Sequence, residues 1–493
     1  ITATGLLIFL VISAGITPGS AAAWRSNQKV SDGIDGPSYF PSMALDSEGN
    51  LYIAWCAYSE SLSSGEDFDI FFRMLNMSTG TWGDIELVSI DSTDESLNPS
   101  IAVDSAGNIH VAWQDLTNLG SDGPDVDIFY RLWNASSMSW NDTIVMSNDS
   151  TSDSLSPCIA VDNSTNDTFI AWEDYTNYNS AGTDSDIFLR AWDYSDQAFN
   201  TTEVISTDSL NDSREVSIAV NNNTGDVHLA WSDLTNASSS DIFHKLRYSN
   251  ESLGATEVVS ENYTGYSSSP SIAVDGSGTI HVVWDDFSDN SNSGPDADIY
   301  YRKWNSTASN WTSITLISDE PSNNIRDSLD PDIALDKNGL PHVVWVDYSD
   351  VSGDDRVYKY DADIFYTKWN NSTLSWAEVS VASEDDDDRN SLNPSLVIDE
   401  NLTARVVWSD GPWDIYYNYY DLNFTPEDEE EEDDTIWYIV GGVAGGGGFF
   451  VILLLVWANK KKKKKREKAD LEASTTEPEP ASDKEEEIKD ENQ

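Results

Sequence analysis

The sequence predicts an all-β fold: a seven-bladed β-propeller of four-stranded antiparallel blades, its N-terminal strand closing the last blade, followed by one C-terminal transmembrane helix. Three observations carry that prediction. A tryptophan recurs at Trp55, Trp113, Trp172, Trp231, Trp284, Trp345 and Trp408, each time inside the same pattern of short apolar runs. Those runs are apolar on both faces, so each sheet needs cover on two sides, which radial stacking of blades provides and a sandwich does not. The seventh copy stops after its third strand, at Asp414-Ile-Tyr-Tyr, and the missing fourth stands at the other end of the pattern.

Each copy has four parts, clearest in the second. Pro99-Ser-Ile-Ala-Val-Asp104 is followed by a Ser-Ala-Gly-Asn turn and Ile109-His-Val-Ala-Trp113; after a polar loop come Asp127-Ile-Phe-Tyr-Arg-Leu-Trp133, a turn at Asn134, and Trp140 leading to Ser147. Runs rich in β-branched and aromatic residues between turn formers read as strands, here named a to d. An aromatic or Leu before a Ser marks strand d: Trp82 and Ser89, Trp140 and Ser147, Phe199 and Ser206, Leu253 and Ser260, Trp311 and Ser318, Trp376 and Ser383. Trp24 and Ser31 repeat that spacing, so the N-terminal segment is expected to complete the last blade.

The flanks read as targeting segments. Residues 1–23 have an apolar run ending in Ala21-Ala22-Ala23 and are expected to be a signal peptide. The propeller ectodomain takes residues 24–424 and an acidic linker 425–435. Residues 436–458 carry no charge and are long enough to span a membrane as a helix. Lysines at 460–465, with Arg466 and Lys468, place the tail 459–493 in the cytoplasm and the N-terminus outside. That tail, charged and rich in Glu and Pro, is expected to be disordered. Gly441, Gly442 and Gly445 to Gly448 give the small-residue spacing that suits helix pairing, hence a dimer through the membrane helix.

Net charge is −60, and nearly all of it falls before Lys460, with 17 basic against 76 acidic residues. Such a surface repels nucleic acid and attracts cations. The two cysteines, Cys56 and Cys158, lie in different copies and are expected to be unpaired.

Carboxylates gather where strand b ends and strand c begins. Strand b ends in Trp-x-Asp at Asp115, Asp174, Asp233, Asp286, Asp347 and Asp410. Strand c opens with Asp-x-Asp-Ile at Asp67 and Asp69, Asp125 and Asp127, Asp184 and Asp186, Asp296 and Asp298, and Asp361 and Asp363. Three carboxylates plus loop carbonyls match the oxygen shell of calcium. The expected sets lie within a blade: Asp115 with Asp125 and Asp127, Asp174 with Asp184 and Asp186, Asp286 with Asp296 and Asp298, Asp347 with Asp361 and Asp363. Blades 1 and 4, with Ala57 and Ser239 in the pattern, are expected to lack one. The competing reading is that Asp builds Asx turns.

Aromatic residues follow several of these Asp residues, at Tyr175, Phe287 and Tyr348, with Trp413 in the seventh loop; beside carboxylates they could contact a sugar ring or pin their own loops. The sixth b-to-c loop, with Asp350, Arg356, Tyr358, Lys359 and Tyr360, is the candidate for partner-specific contact. His110, His228, His281 and His342 share one repeat slot, as do Arg73, Arg131, Arg190 and Arg302, and both groups read as packing residues. Arg214, Arg326 and Arg389 stand in d-to-a loops. Eighteen Asn-x-Ser/Thr sequons, among them Asn76, Asn134, Asn305 and Asn371 at the c-to-d turns, make glycosylation an expectation.

The motif Asp-x-x-Gly-x-x-x-x-x-Trp, as in Asp104 to Trp113 and Asp275 to Trp284, resembles the Asp box of sialidase-like surface propellers of archaeal-type envelopes, over residues 24–424. In that family the box joins strands c and d, whereas here it joins a and b. The expectation is a non-enzymatic surface propeller for adhesion or recognition of an extracellular glycan or protein through its acidic loop face. The alternatives are a membrane-anchored sialidase-like glycoside hydrolase, which the resemblance implies, and a structural envelope subunit.

Overall fold

The computed structural model describes residues 24–422 apart from 61, 63, 120–122, 124, 179–181, 237–238, 262–264, 289–295, 319–325, 350–361, 384–388 and 412–413, together with the backbone of 438–440 and 453–455. Within residues 24–422 the described elements form seven antiparallel sheets, each ordered a-b-c-d. The seven a strands are Ser38–Leu45, Ser96–Val103, Ser154–Asp162, Ser213–Asn221, Ser267–Val274, Ser328–Leu335 and Ser391–Ile398. Each touches the a strand of the blade before and after it, the last meeting the first, so they ring the propeller axis.

Burial explains the doubly apolar runs. The b strands Ile109–Asp115, Ile280–Asp286 and Pro341–Asp347 are buried at every position. Their seven tryptophans are among the largest fully buried side chains, and hydrophobic clusters lie between successive blades. The a-to-b turn is set by its Asp: Asp104 Oδ1 accepts from Ala106 N at 2.9 Å and Asn108 N at 2.7 Å. Gly107 follows at φ 80°, a conformation that costs glycine little.

Strand d differs from a simple strand. In blades 1, 2, 3, 5 and 6 it is two short pieces paired with c, such as Ser139–Trp140 and Ile144–Val145. Its recurring serine explains the sequence spacing. Ser147 Oγ donates to Asp127 Oδ1 at 2.7 Å and accepts from Ile128 N at 2.9 Å. Ser89, Ser206, Ser260, Ser318 and Ser383 do the same in their blades. Ser31 does it across the seam, with Asp414 and Ile415.

The seam itself is closed as expected. Gln28–Lys29 pairs antiparallel with Asp414–Asp421, Gln28 opposite Tyr417 and Lys29 opposite Tyr416. Trp24 stacks edge-on against Tyr366 of blade 6, with ring centroids 5.2 Å apart. Cys56 and Cys158 are unpaired, and burial pushes their thiols up to about 12 and about 11.

Residues 425–493 form a separate unit. The expected signal peptide, residues 1–23, lies outside the described residues, as do the expected linker 425–435 and tail 459–493 and most of 436–458. Tyr438–Val440 and Leu453–Leu455, inside the expected membrane helix, pair as antiparallel strands. Among the described residues no helix is long and apolar enough to cross a membrane.

Candidate functional site

The carboxylates that end strand b are internal hubs. Asp115 is fully buried and accepts from Ser92 Oγ, Ser96 Oγ, Trp113 Nε1 and Thr117 N at 2.8–3.0 Å, two bonds to each oxygen. Asp174 repeats all four contacts. Asp347 repeats three of them, and Asp286 takes Ser267 Oγ and Ser288 N. The hub holds the first residue of strand a, the core tryptophan and the loop after strand b together. In blade 1, with Ala57 in place of Asp, Ser38 Oγ and Trp55 Nε1 are buried without a hydrogen-bond partner, as are Ser391 Oγ and Trp408 Nε1 in blade 7, which keeps Asp410.

The oxygens of Asp115, Asp174, Asp286 and Asp347 are engaged by donors of their own blade, and each of these residues stands cross-strand from the second Asp of strand c, Asp127, Asp186, Asp298 and Asp363. The Asp pairs of strand c also meet acid of the next blade. Asp67 and Asp69 of blade 1 feel Asp115 of blade 2, and Asp186 of blade 3 feels Asp233 of blade 4 as well as Asp174 of its own blade. Asp296 feels Asp327 and Asp347 of blade 6. Among the described residues no three His, Cys, Asp or Glu side chains already surround a point that a metal could take. Asp350, Arg356, Tyr358, Lys359, Tyr360, Asp361 and Trp413 lie outside the described residues.

A different constellation lies on the axis. Every a strand carries a register shift, and its bulge holds one residue at positive φ: Phe40, Asn98, Ser156, Glu215, Ser269, Asp330 and Asn393, all between 49° and 57°. A bulge frees backbone N–H groups from the ladder. Here they are taken by side chains of the preceding blade. Gln114 Oε1 accepts from Ser156 N at 3.0 Å, Glu173 Oε1 from Glu215 N at 2.7 Å, Glu215 Oε2 from Ser269 N at 2.8 Å, and Asp285 Oδ1 from Asp330 N at 3.3 Å. Gln114, Glu173 and Asp285 are the middle residues of Trp-x-Asp.

Around this ring the repeat breaks. Four carboxyl groups, Glu173, Glu215, Asp285 and Asp330, gather on blades 3 to 6, where the same slots elsewhere hold Cys56, Gln114, Ser409, Phe40 or Asn98. Burial pushes Glu173 up to about 7, the charge of Glu215 adding to the effect against the Glu215 N–H bond. Burial likewise pushes Asp285 up to about 7, with Asp330 adding and Ser268 Oγ, 2.5 Å away, opposing. Glu215 and Asp330 are solvent-accessible but enclosed by neighbouring blades, and desolvation raises both. Phe40, 41% exposed, is the aromatic member of the ring.

Two of the aromatic residues singled out in the sequence join this constellation. The hydroxyl of Tyr348 is raised by burial and by Asp330 and Asp327. Tyr175 and Glu173 both lie within the field of Arg214. Arg214 is itself ion-paired to Asp212, and Arg326 donates to the Tyr348 carbonyl at 3.2 Å. Phe287 is exposed at the same level, its backbone tied to Tyr266. The tyrosine backbones are held likewise, Tyr175 N on Asp153 O and Tyr348 N on Asp327 O.

The other slots are structural. Arg73, Arg131, Arg190 and Arg302 each bridge the break between the two pieces of their own strand d and strand d of the preceding blade through backbone carbonyls. His110, His281 and His342 hydrogen-bond to Tyr130, Tyr301 and Tyr366, and His228 to His244, all buried. On the opposite face a cavity of about 340 Å³ lies between blades 3 and 4, lined by Phe169, Trp192 and Arg247, whose guanidinium is clamped on Glu203.

The sequence matches no protein-family pattern and no curated protein. Solved structures do resemble the chain. An ulvan lyase of a new polysaccharide lyase family, bound to -[GlcA(1-4)Rha3S]-, is 12% identical with a TM-score of 0.51, over 78% of this chain and 94% of that one. The chain shares that lyase's fold. A second polysaccharide lyase is 9% identical with a TM-score of 0.49, over 81% and 100%. The intramolecular trans-sialidase from Ruminococcus gnavus is 9% identical with a TM-score of 0.38, over 78% and 94%.

Proposed function

We propose that the protein is an exported, membrane-anchored recognition propeller that binds a glycan at its axial mouth. The observation that carries this reading is the break in sevenfold repetition there. Residues that build blades recur in every copy; Glu215, Asp330, Tyr175, Tyr348 and Phe40 do not, and all stand on or beside one ring. Accessible carboxyl groups beside aromatic rings offer a sugar both hydrogen bonds and an apolar face. The exported, anchored placement is supported by the apolar runs before Ala23 and across 436–458 and by the basic block that follows. The polysaccharide lyase that shares the fold agrees with this ligand class.

The test is a glycan array followed by calorimetry on the purified full-length protein. Glu215→Gln and Asp330→Asn, able to keep an acceptor for Ser269 N and for Ser269 Oγ respectively, are expected to weaken binding tenfold or more without shifting the melting temperature. Binding untouched by both changes would place the ligand elsewhere and sink the reading.

A second reading, glycoside cleavage, is favoured by one observation. Glu173 and Asp285 sit at about 7, the range of a carboxylic acid that can give or take a proton near neutrality. Turnover of glycans on the same array, abolished by Glu173→Gln, would replace recognition by catalysis.

A further inference from the structure

The c-strand Asp pairs hold negative charge that the protein leaves uncompensated. Asp69 is 2% exposed; its Oδ1 accepts from Ser89 Oγ at 2.6 Å, and its Oδ2 has no hydrogen-bond partner. Asp186 is the same: 2% exposed, Oδ1 on Ser206 Oγ at 2.6 Å, Oδ2 unpartnered. In blade 5, Asp296 is 8% exposed with Oδ1 unpartnered. Asp67 Oδ1 and Asp125 Oδ2 are likewise buried atoms without partners. Leaving one buried carboxylate oxygen unsatisfied is costly; a fold that does so repeatedly at one position asks for a ligand.

The next blade adds more acid, not base. Asp94 and Asp115 face Asp67, and Asp115 faces Asp69. Ser185 N and Ala297 N, each between two Asp residues, donate to Asp212 and Asp327 of the following blade at 3.2 and 3.0 Å, which brings those carboxylates to the junction. Among the described residues no Lys or Arg ion-pairs with Asp67, Asp69, Asp184, Asp186 or Asp296; Arg214 is engaged with Asp212, and Arg326 meets Asp296 through its backbone N–H while its guanidinium donates to the Tyr348 carbonyl. The seam supplies a natural contrast. There the equivalent Asp414 has Lys29 Nζ at 2.7 Å, and no other blade has a lysine in that d-strand slot.

The loop before strand c is shaped around the first Asp. Gly65, Gly123 and Gly182 have φ of 128°, 125° and 137°, and a Cβ on them would lie 2.3–2.6 Å from an oxygen of Asp67, Asp125 and Asp184. The signature is therefore Gly-x-Asp-x-Asp, with a glycine that lets the chain fold onto the carboxylate.

We propose that calcium ions occupy the junctions between blades 1 and 2, 2 and 3, 3 and 4, and 5 and 6, each held by the c-strand Asp pair of one blade and acidic residues of the next. Each ion would rest on one c-strand pair, Asp67 and Asp69, Asp125 and Asp127, Asp184 and Asp186, or Asp296 and Asp298, with Asp94, Asp153, Asp212 or Asp327 of the following blade adding negative charge beside it. Calcium fits because it accepts six to eight oxygens in loose geometry, so two carboxylates with carbonyls and water suffice where no three-group cage exists.

The experiment is calcium titration by calorimetry of full-length protein stripped with EGTA at pH 7.5, with melting followed in parallel. Uptake of about four ions per chain and a melting temperature several degrees higher than in EGTA are expected. Asp69→Asn and Asp186→Asn should each lower the stoichiometry by one. Should either fail to fold, Asp67→Asn and Asp184→Asn, at half-buried positions, give the same readout. No uptake, or uptake unchanged in these variants, overturns the proposal and leaves protons as the compensating charge.

Discussion

Glu173 shows how one residue couples axial architecture to pH. Its carboxyl group is 5% exposed, accepts the Glu215 N–H, and is pushed from an ordinary 4.5 up to about 7, mainly by burial. A raised carboxyl pKa means that the folded protein binds the proton more tightly than the unfolded chain, so the stabilisation is complete below about 4.5 and is lost as pH rises through about 7. Every tenfold gain in proton affinity on folding corresponds to roughly 1.4 kcal/mol. Asp285, also near 7, acts in the same direction. In EGTA the melting temperature should therefore fall between pH 5 and pH 7.5, and Glu173→Gln, which keeps an acceptor for Glu215 N but cannot ionise, should flatten part of that fall and melt higher than wild type at pH 7.5. A variant whose pH profile parallels wild type would show that Glu173 titrates normally.

Among elements, the segment 24–31 bears the most on the whole ring. Its backbone donates from Arg25 N and Val30 N to Tyr419 O and Ile415 O, and Ser31 Oγ closes the Ile415 N–H at 3.0 Å. Val30 is fully buried between blades 7 and 1, and its carbonyl accepts Arg73 at 2.7 Å. Removing the segment strips the edge of Asp414–Asp421 and opens the core of two blades. Protein lacking residues 24–31 should melt well below wild type with a broadened transition, and a synthetic peptide of that sequence should restore the melt in a saturable way. An unchanged melt would mean that the ring is sealed by other contacts. This element was legible from the chain because strand d repeats a spacing, Trp24 to Ser31, and a repeat aligns itself. The Asp–Ser lock on each c strand is the cause of that spacing. The axial ring was hidden for the opposite reason. Glu173 and Asp285 alternate with Trp and Asp in strands buried on both faces, and nothing in the pattern marks a bulge at Glu215 or Asp330. The junction carboxylates fell between: their types were visible, but which blade Asp69 faces depends on packing, and Gly65 gains its meaning only from its φ.

At the scale of the molecule, seven blades must stay closed against their own charge. The chain carries −60 with 27 basic residues against 87 acidic, and part of that acid, Asp69, Asp115 and Asp186 among it, is buried within the propeller itself. Mutual repulsion opposes the compact ring more than the unfolded chain, whose charges lie farther apart. Screening shortens the reach of that repulsion from about 10 Å at 0.1 M salt to about 3 Å at 1 M. The hydrophobic clusters between blades gain little from chloride salts, so a salt response reports on charge. In EGTA, raising sodium chloride from about 0.1 M to about 1 M should lift the melting temperature by several degrees, while an equal osmolality of a neutral sugar that does not bind lifts it less. Millimolar calcium should achieve at low ionic strength what molar sodium achieves by screening, because it acts at the blade junctions rather than across the surface. If sodium chloride left the melt unmoved, the acidic groups would be too far apart to matter, and charge would play no part in how tightly the ring closes.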